Sequence, residues 1–298
     1  MNRKLIFIMI FSLGLIMLAA CEPTQQSTES LATLRPVSLS TTVIIFTPTH
    51  TLMPTPTWTA TPSFTPTIVL TPTSTLPTLQ REGDWIVTTD EEVRDVEIVL
   101  NGNLSIEPGG SLTLINVRLL FKQPPDRKIS LKVKKGGDLI ISRSTIAPSQ
   151  NDTRFIFSIQ DAHSELKQSF LEGMDGGLQI DQTDGVVIEG NSINHEANGI
   201  RLMNSNNALI TDNTITAIGA DNLSEAIRLI NSNNNLITHN HLIKQYVAVS
   251  VESSSNNYIA YNDLTLTNNT GGIAITYGSG NNTVAYNDIS AYKGYNHV

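Results

Sequence analysis

The sequence predicts an all-β solenoid of about eight turns over residues 81–298, and three observations carry that prediction. Short segments of alternating apolar and polar residues recur every 21–27 residues. Stacked on one another, their apolar positions form columns that stay apolar from turn to turn. Asparagine recurs at one corner of the repeat, and 22 of them fall between residues 191 and 298. Repeats of 20–50 residues mark architectures in which each unit completes its core only against its neighbours.

The amino end is of another kind. Arg3 and Lys4 precede an apolar run of 14 residues, Leu5 to Leu18, short for a bilayer span and of the length of a signal-peptide core. It leads into Leu18-Ala19-Ala20-Cys21, which resembles the lipobox of bacterial lipoproteins. That resemblance implies that residues 1–20 are removed and that Cys21 carries lipid. Two or three acyl chains on one residue anchor a protein stably, so the expected location is extracytoplasmic, with the membrane as a partner through the anchor. Cys21 is the only cysteine, which excludes a disulfide framework and a Cys-based metal site. The chain from Cys21 onward has 17 basic and 27 acidic side chains. So acidic a chain has no general attraction for nucleic acid, which is excluded as a partner.

Residues 21–80 read as a spacer. Between Pro36 and Gln80 there is no charged side chain, and residues 47–78 hold 13 Thr and 7 Pro. Such a segment cannot bury a core and leans to extended, polyproline-like conformations.

The body repeats visibly. Leu104-Ser-Ile-Glu-Pro-Gly-Gly-Ser-Leu-Thr-Leu114 returns as Leu131-Lys-Val-Lys-Lys-Gly-Gly-Asp-Leu-Ile-Ile141. Gly199-Ile-Arg-Leu202 returns as Ala226-Ile-Arg-Leu229, Ala248-Val-Ser-Val251 and Gly272-Ile-Ala-Ile275. One inward column runs Leu104, Leu131, Phe157, Leu178, Ile200, Ile227, Val249, Ile273, and a second lies two residues on from it. A third runs Leu119, Ile146, Leu171, Ile193, Ile215, Leu242, Leu264, Ile289. Alternation over three to five residues is the strand signal, so each turn holds three short strands. Asn191, Asn213, Asn240, Asn262 and Asn287 fall at one corner and are read as a structural ladder, their amides serving main-chain groups of the next turn and their backbone tolerating left-handed geometry.

These repeats resemble the right-handed parallel β-helix of the pectin-lyase-like superfamily, in particular its carbohydrate-binding and sugar-hydrolase (CASH) repeats and the NosD-like periplasmic proteins. The resemblance covers roughly residues 85–298 and supplies the handedness. It implies a polysaccharide or cell-wall glycan as partner, while the superfamily hosts lyases, hydrolases and non-enzymes alike.

Two places carry candidate chemistry. The outward column between the two inward ones includes Gln179, Arg201, Arg228 and Ser250, and Asp181 and Glu252 lie in the next outward column. Arg201 and Arg228 are like charges one turn apart. Asp181 and Glu252 can relieve them diagonally, or an anionic sugar chain can, with Gln179, Arg201, Arg228 and Glu252 as the glycan-binding set. Asp181 and Glu252 are three turns apart, roughly 14 Å, too far for a glycosidase pair at roughly 5–9.5 Å. The second place is the corner beyond the asparagines. Asp263, Asp288 and His241 make a candidate site for a divalent cation such as calcium, and Tyr261 and Tyr286 a platform for a sugar ring, against the alternative that the rings stack on one another. His239 and His241 flank Asn240 but bring no third ligand for the copper role that the NosD-like resemblance implies. No other cofactor is indicated. Connections such as Asn194–Asn198, with His195 and Glu196, and Ala217–Glu225, with Asp221, are expected to overhang the arginine face. Arg118 to Arg143 holds eight positive charges, read as a solvated strand face or as a contact for anionic polymers.

The expected function is that of a membrane-anchored β-helix lipoprotein that binds glycan or scaffolds a cell-envelope interaction without catalysis. The alternative is a polysaccharide lyase or glycoside hydrolase. No phosphate-binding loop, dinucleotide fingerprint, nucleophile elbow or His-Glu-x-x-His motif occurs. Past Ile289 no further strand pattern follows, so the expectation is that the chain is truncated, that Tyr292 and Tyr295 cover the last turn, or that two copies pair there.

Overall fold

A computed structural model describes residues 76–123, 128–150, 153–218, 224–266 and 271–291. Cys21, the signal segment, the spacer up to residue 75, Asp221, Tyr292 and Tyr295 lie outside the described residues. The architecture is an all-β parallel solenoid. One sheet stacks nine parallel strands, one from each turn, from Trp85–Val87 and Leu104–Ile106 to Val247–Glu252 and Ile273–Thr276. The other two strands of each turn, such as Val187–Glu189 and Ser192–His195, stack likewise. In the early turns Asp90–Asn101 and Ser111–Phe121 run through both of these positions without a break. They thereby join the two stacks into one 17-stranded sheet.

The turns therefore number nine rather than the expected eight. The additional one is the first, where Trp85 pairs with Leu104 and Val87 with Ile106. It lacks the aliphatic triplet and Asn corner of the later repeats. Arg81 lies over its indole at 4.3 Å, and Trp85 Nε1 donates to Glu91 Oε2 at 3.0 Å. The strand Thr78–Glu82 pairs with Glu97–Asn101 and takes in the last residues of the Thr/Pro-rich segment.

The inward columns stand in continuous register from Leu104 to Ile273. The third does so from Leu119 to Ile289. All members are buried except near the carboxyl end. Each fully buried aliphatic side chain contributes about 1.5–3 kcal/mol, and in a parallel stack it contacts its counterparts above and below. Where the columns widen, Phe121 and Phe155 stack at 4.6 Å.

The corner asparagines form a chain of paired bonds. Asn191, Asn213, Asn240 and Asn262 each donate their backbone N–H to the Oδ1 of the asparagine one turn on, at 2.9–3.1 Å. Each Nδ2 returns to a carbonyl of an earlier strand, as Asn240 Nδ2 does to Ile210 O at 2.9 Å. These amides thus serve buried backbone groups that the strand ladders leave over. The left-handed residue of this corner is not the asparagine but the one before it: Gly190, Asp212, His239, Tyr261 and Tyr286, with φ between 55° and 65°. A second ladder at another corner runs from Ala208 through Asn235 and Asn257 to Asn282. Serines do the same from Thr183 through Ser205, Ser232 and Ser254 to Ser279.

Candidate functional site

The nine-stranded sheet carries the arginine face. Gln179, Arg201, Arg228 and Ser250 are register partners on successive strands, so their side chains share one outward row. Arg228 is held by two carboxylates, Glu252 at 3.0 Å and Glu225 at 3.3 Å. Gln179 turns its amide to the Asp175 carbonyl at 3.2 Å. The relief expected for Arg201 does not form. Asp181 accepts instead from Asn204 Nδ2 at 3.1 Å, the residue after its register partner Met203. Among the described residues Arg201 has no carboxylate within ion-pair distance, and its Nε is buried without a hydrogen bond, as is that of Arg228. The row thus brings Gln179, Arg201 and Arg228 together, reaches Glu252 through Arg228, and leaves one guanidinium uncompensated. An uncompensated, directional cation in a partly desolvated position favours an anionic ligand with planar oxygens.

The corner beyond the asparagine ladder does not make the expected cation site. His241, Asp263 and Asp288 are register partners, but outward side chains on parallel strands line up along the solenoid rather than converge. His241 Nδ1 pairs with Asp263 Oδ2 at 2.7 Å. Among the described residues no group of three His, Cys, Asp or Glu could hold a metal ion. The neighbouring rings stack on one another. His239 stacks on Tyr261 at 5.3 Å, and Tyr261 on Tyr286 at 5.0 Å, with planes within 10°. Tyr261 is thus covered on both faces, while Tyr286 ends the stack and is 75% exposed.

The basic strand region is largely paired. Arg118 meets Glu97, Lys128 meets Asp175, Lys134 meets Glu107 and Lys135 meets Asp161. Exposed pairs of this kind contribute little to stability and mark a solvated face.

A cavity of about 260 Å³ opens at the corner between the third strand and the following turn. It is lined from four successive turns, by Pro148 and Arg154, by Glu172 and Met174, by Asn194, His195 and Glu196, and by Ile218. His195 was expected on an overhanging loop. It is instead the last residue of the strand Ser192–His195, points inward and is 2% exposed. Burial pushes its pKa down to about 4, with Gln245 acting in the opposite direction, so the imidazole is neutral. Glu196 lies across the cavity wall in a two-contact ion pair with Arg154. Arg154 and Glu172 fall between strands, where the column pattern carries no signal, while Met174 and Asn194 lie in the strands Met174–Asp181 and Ser192–His195.

A family model described as periplasmic copper-binding protein (NosD) matches residues 117–295. No curated protein sequence matches the chain. Among solved structures, the native GH136 lacto-N-biosidase from Eubacterium ramulus is similar at 11% identity and a TM-score of 0.45, over 67% of this chain and 49% of that one. A mutant of the periplasmic alginate epimerase AlgG is similar at 13% identity and a TM-score of 0.36, over 70% of this chain and 77% of that one. The chain spans about half the length of the lacto-N-biosidase structure.

Proposed function

The chain belongs to the NosD family, described as periplasmic, and we propose that it is an extracytoplasmic, lipid-anchored β-helix that binds an anionic glycan on its arginine face without catalysing a reaction. One observation carries the reading: Arg201 has an uncompensated guanidinium next to Arg228 in a row of register partners. Neighbouring strands are about 4.8 Å apart, so the two cations can meet successive anionic groups of a chain laid along the solenoid axis. Gln179 continues the row on one side, and Glu252 fixes Arg228 on the other. Catalysis on this face is disfavoured because Asp181 and Glu252 are separated by three register steps, about 14 Å. The anchor at Cys21 rests on the lipobox-like Leu18-Ala19-Ala20-Cys21.

The family description also names copper, and the described donors do not fit that ion. His163 Nδ1 is engaged by Asp138 at 2.9 Å and His241 Nδ1 by Asp263. His239 is stacked on Tyr261, and both nitrogens of His195 are buried. A copper centre requires several nitrogen or sulfur donors on one ion, and each described histidine occupies separate surroundings. No part of the proposed function runs through the metal.

The test is binding of an oligogalacturonate to the full chain by calorimetry. Arg201→Gln should weaken it at least about tenfold, the loss of one charge-assisted contact. Because Arg201 has no partner to lose, stability should stay within about 0.5 kcal/mol. An unchanged affinity would remove this face as the binding site.

A further inference from the structure

We infer that the corner cavity is a binding site for a small organic cation, with the charged head on Glu172 and the apolar body against Met174, Pro148 and Ile218. The site is independent of the arginine face and of the glycan reading. Its charge balance comes from three side chains. Arg154 and Glu196 neutralise one another through two contacts. Glu172 has no ion pair and no side-chain hydrogen bond among the described residues, although its backbone N–H is held by Ile146 O at 3.1 Å. The cavity therefore carries one uncompensated negative charge on a fixed stretch of backbone.

The remaining lining sets the apolar side chains of Pro148, Met174 and Ile218 beside the polar Asn194 and His195. Met174 is almost fully buried, and Ile218, half exposed, forms a lip that a ligand would cover. His195 lines the same space. Its imidazole is held neutral by burial, so it adds no positive charge to oppose a bound cation. Asn194 offers one neutral amide. A volume of about 260 Å³ admits a molecule of several heavy atoms, not a polymer. An anion would face Glu172 unpaired, and a ligand with no apolar part would leave the methionine, proline and isoleucine side chains uncovered. A carboxylate beside apolar walls selects an alkylammonium group, whose ionic head and hydrocarbon tail match the two kinds of wall.

The test uses the full chain and three probes of equal length, n-butylammonium, 1-butanol and butyrate, titrated while protein resonances are followed by NMR. Saturable binding of n-butylammonium is expected, at least about fivefold tighter than 1-butanol, with shifts at residues 172–174 and 194–196. Raised salt should weaken the ammonium and leave the alcohol unchanged. Glu172→Gln, which breaks no contact, should bring the ammonium down to the affinity of the alcohol. Arg201→Gln should have no effect, which separates this site from the glycan face. Equal binding of butanol and butylammonium, preferred binding of butyrate, no saturable binding, or full affinity in Glu172→Gln would each overturn the assignment.

Discussion

At position 195 an imidazole sits in a row of inward residues, next to Ala217 one turn on. Its pKa is about 4 in the folded chain, against about 6.5 when unfolded. The unfolded state therefore binds more protons between these values, and stability must fall as the pH is lowered from 6.5 toward 4, while none of this contribution is lost above 6.5. The effect is on the order of 3 kcal/mol when complete. Urea unfolding at pH 7 and pH 4.5 should show a larger loss for the wild type than for His195→Leu, by about 2–3 kcal/mol. Equal losses would mean that the ring is hydrated. Asn240 is a second residue whose surroundings decide its role. Its Oδ1 accepts from the backbone and the side chain of Asn213, and its Nδ2 donates to Ile210 O, Thr238 O and Asn262 Oδ1. Asn240→Ala should leave buried donors and acceptors unpaired at a cost of about 2–4 kcal/mol. An unchanged urea midpoint would contradict the ladder's structural role.

At the scale of elements, the strands were legible because parallel stacking in register puts equivalent residues above one another. Any column apolar in the sequence, such as Leu119 to Ile289, is then a column of the core. The first turn was not legible, because Trp85-Ile-Val87 is not followed by the Gly-Gly pattern that matches the turns of Leu104 and Leu131 to one another. The site was legible only in part. Gln179, Arg201 and Arg228 could be placed by period alone, whereas Asp181 could not be assigned its partner, since Asn204 and Arg201 are both one turn on and only side-chain reach decides between them. The cavity was illegible because its lining joins strand ends such as Pro148, Met174 and His195 to residues between strands such as Arg154, Glu172 and Glu196, which no column aligns. Strain explains one surprise at the corners. His239, Tyr261 and Tyr286 hold left-handed backbone that bulky residues disfavour, and the stacked rings offset part of that cost. Close approach of turns explains Gly102: a Cβ there would lie 2.2 Å from the Gly83 carbonyl oxygen, a backbone atom of the preceding turn. Gly102→Ala should cost about 3 kcal/mol or more, read from urea unfolding, and a neutral result would show that adjacent turns can part locally.

At the scale of the whole molecule, stability in a solenoid is a sum of turns and of the interfaces between them. Interior turns have two interfaces, and a terminal turn has one. The last described turn shows the consequence in its inward positions: Ile275 is 42% exposed, Val284 44% and Ile289 51%, while their register partners one turn earlier are buried. The asparagine ladder has a direction, each backbone N–H being served from the following turn, so within the described residues the N–H groups of Asn282 and Asn287 stand at its open end. Open interfaces and an open ladder lower the free energy of local opening there without changing it several turns away. Hydrogen exchange on the full chain should therefore give a gradient. Residues 273–291 should exchange fastest, protection should rise through 247–266, and it should reach its plateau by the turns containing Ile200 and Ile227. The same gradient should persist in Asn240→Ala, with its plateau moved toward the amino end, because that substitution cuts the ladder two turns before the open end. Uniform protection from Leu104 to Ile289 would show that the final turn has its missing interface supplied from elsewhere, and the nearest-neighbour account of this molecule's stability would then fail.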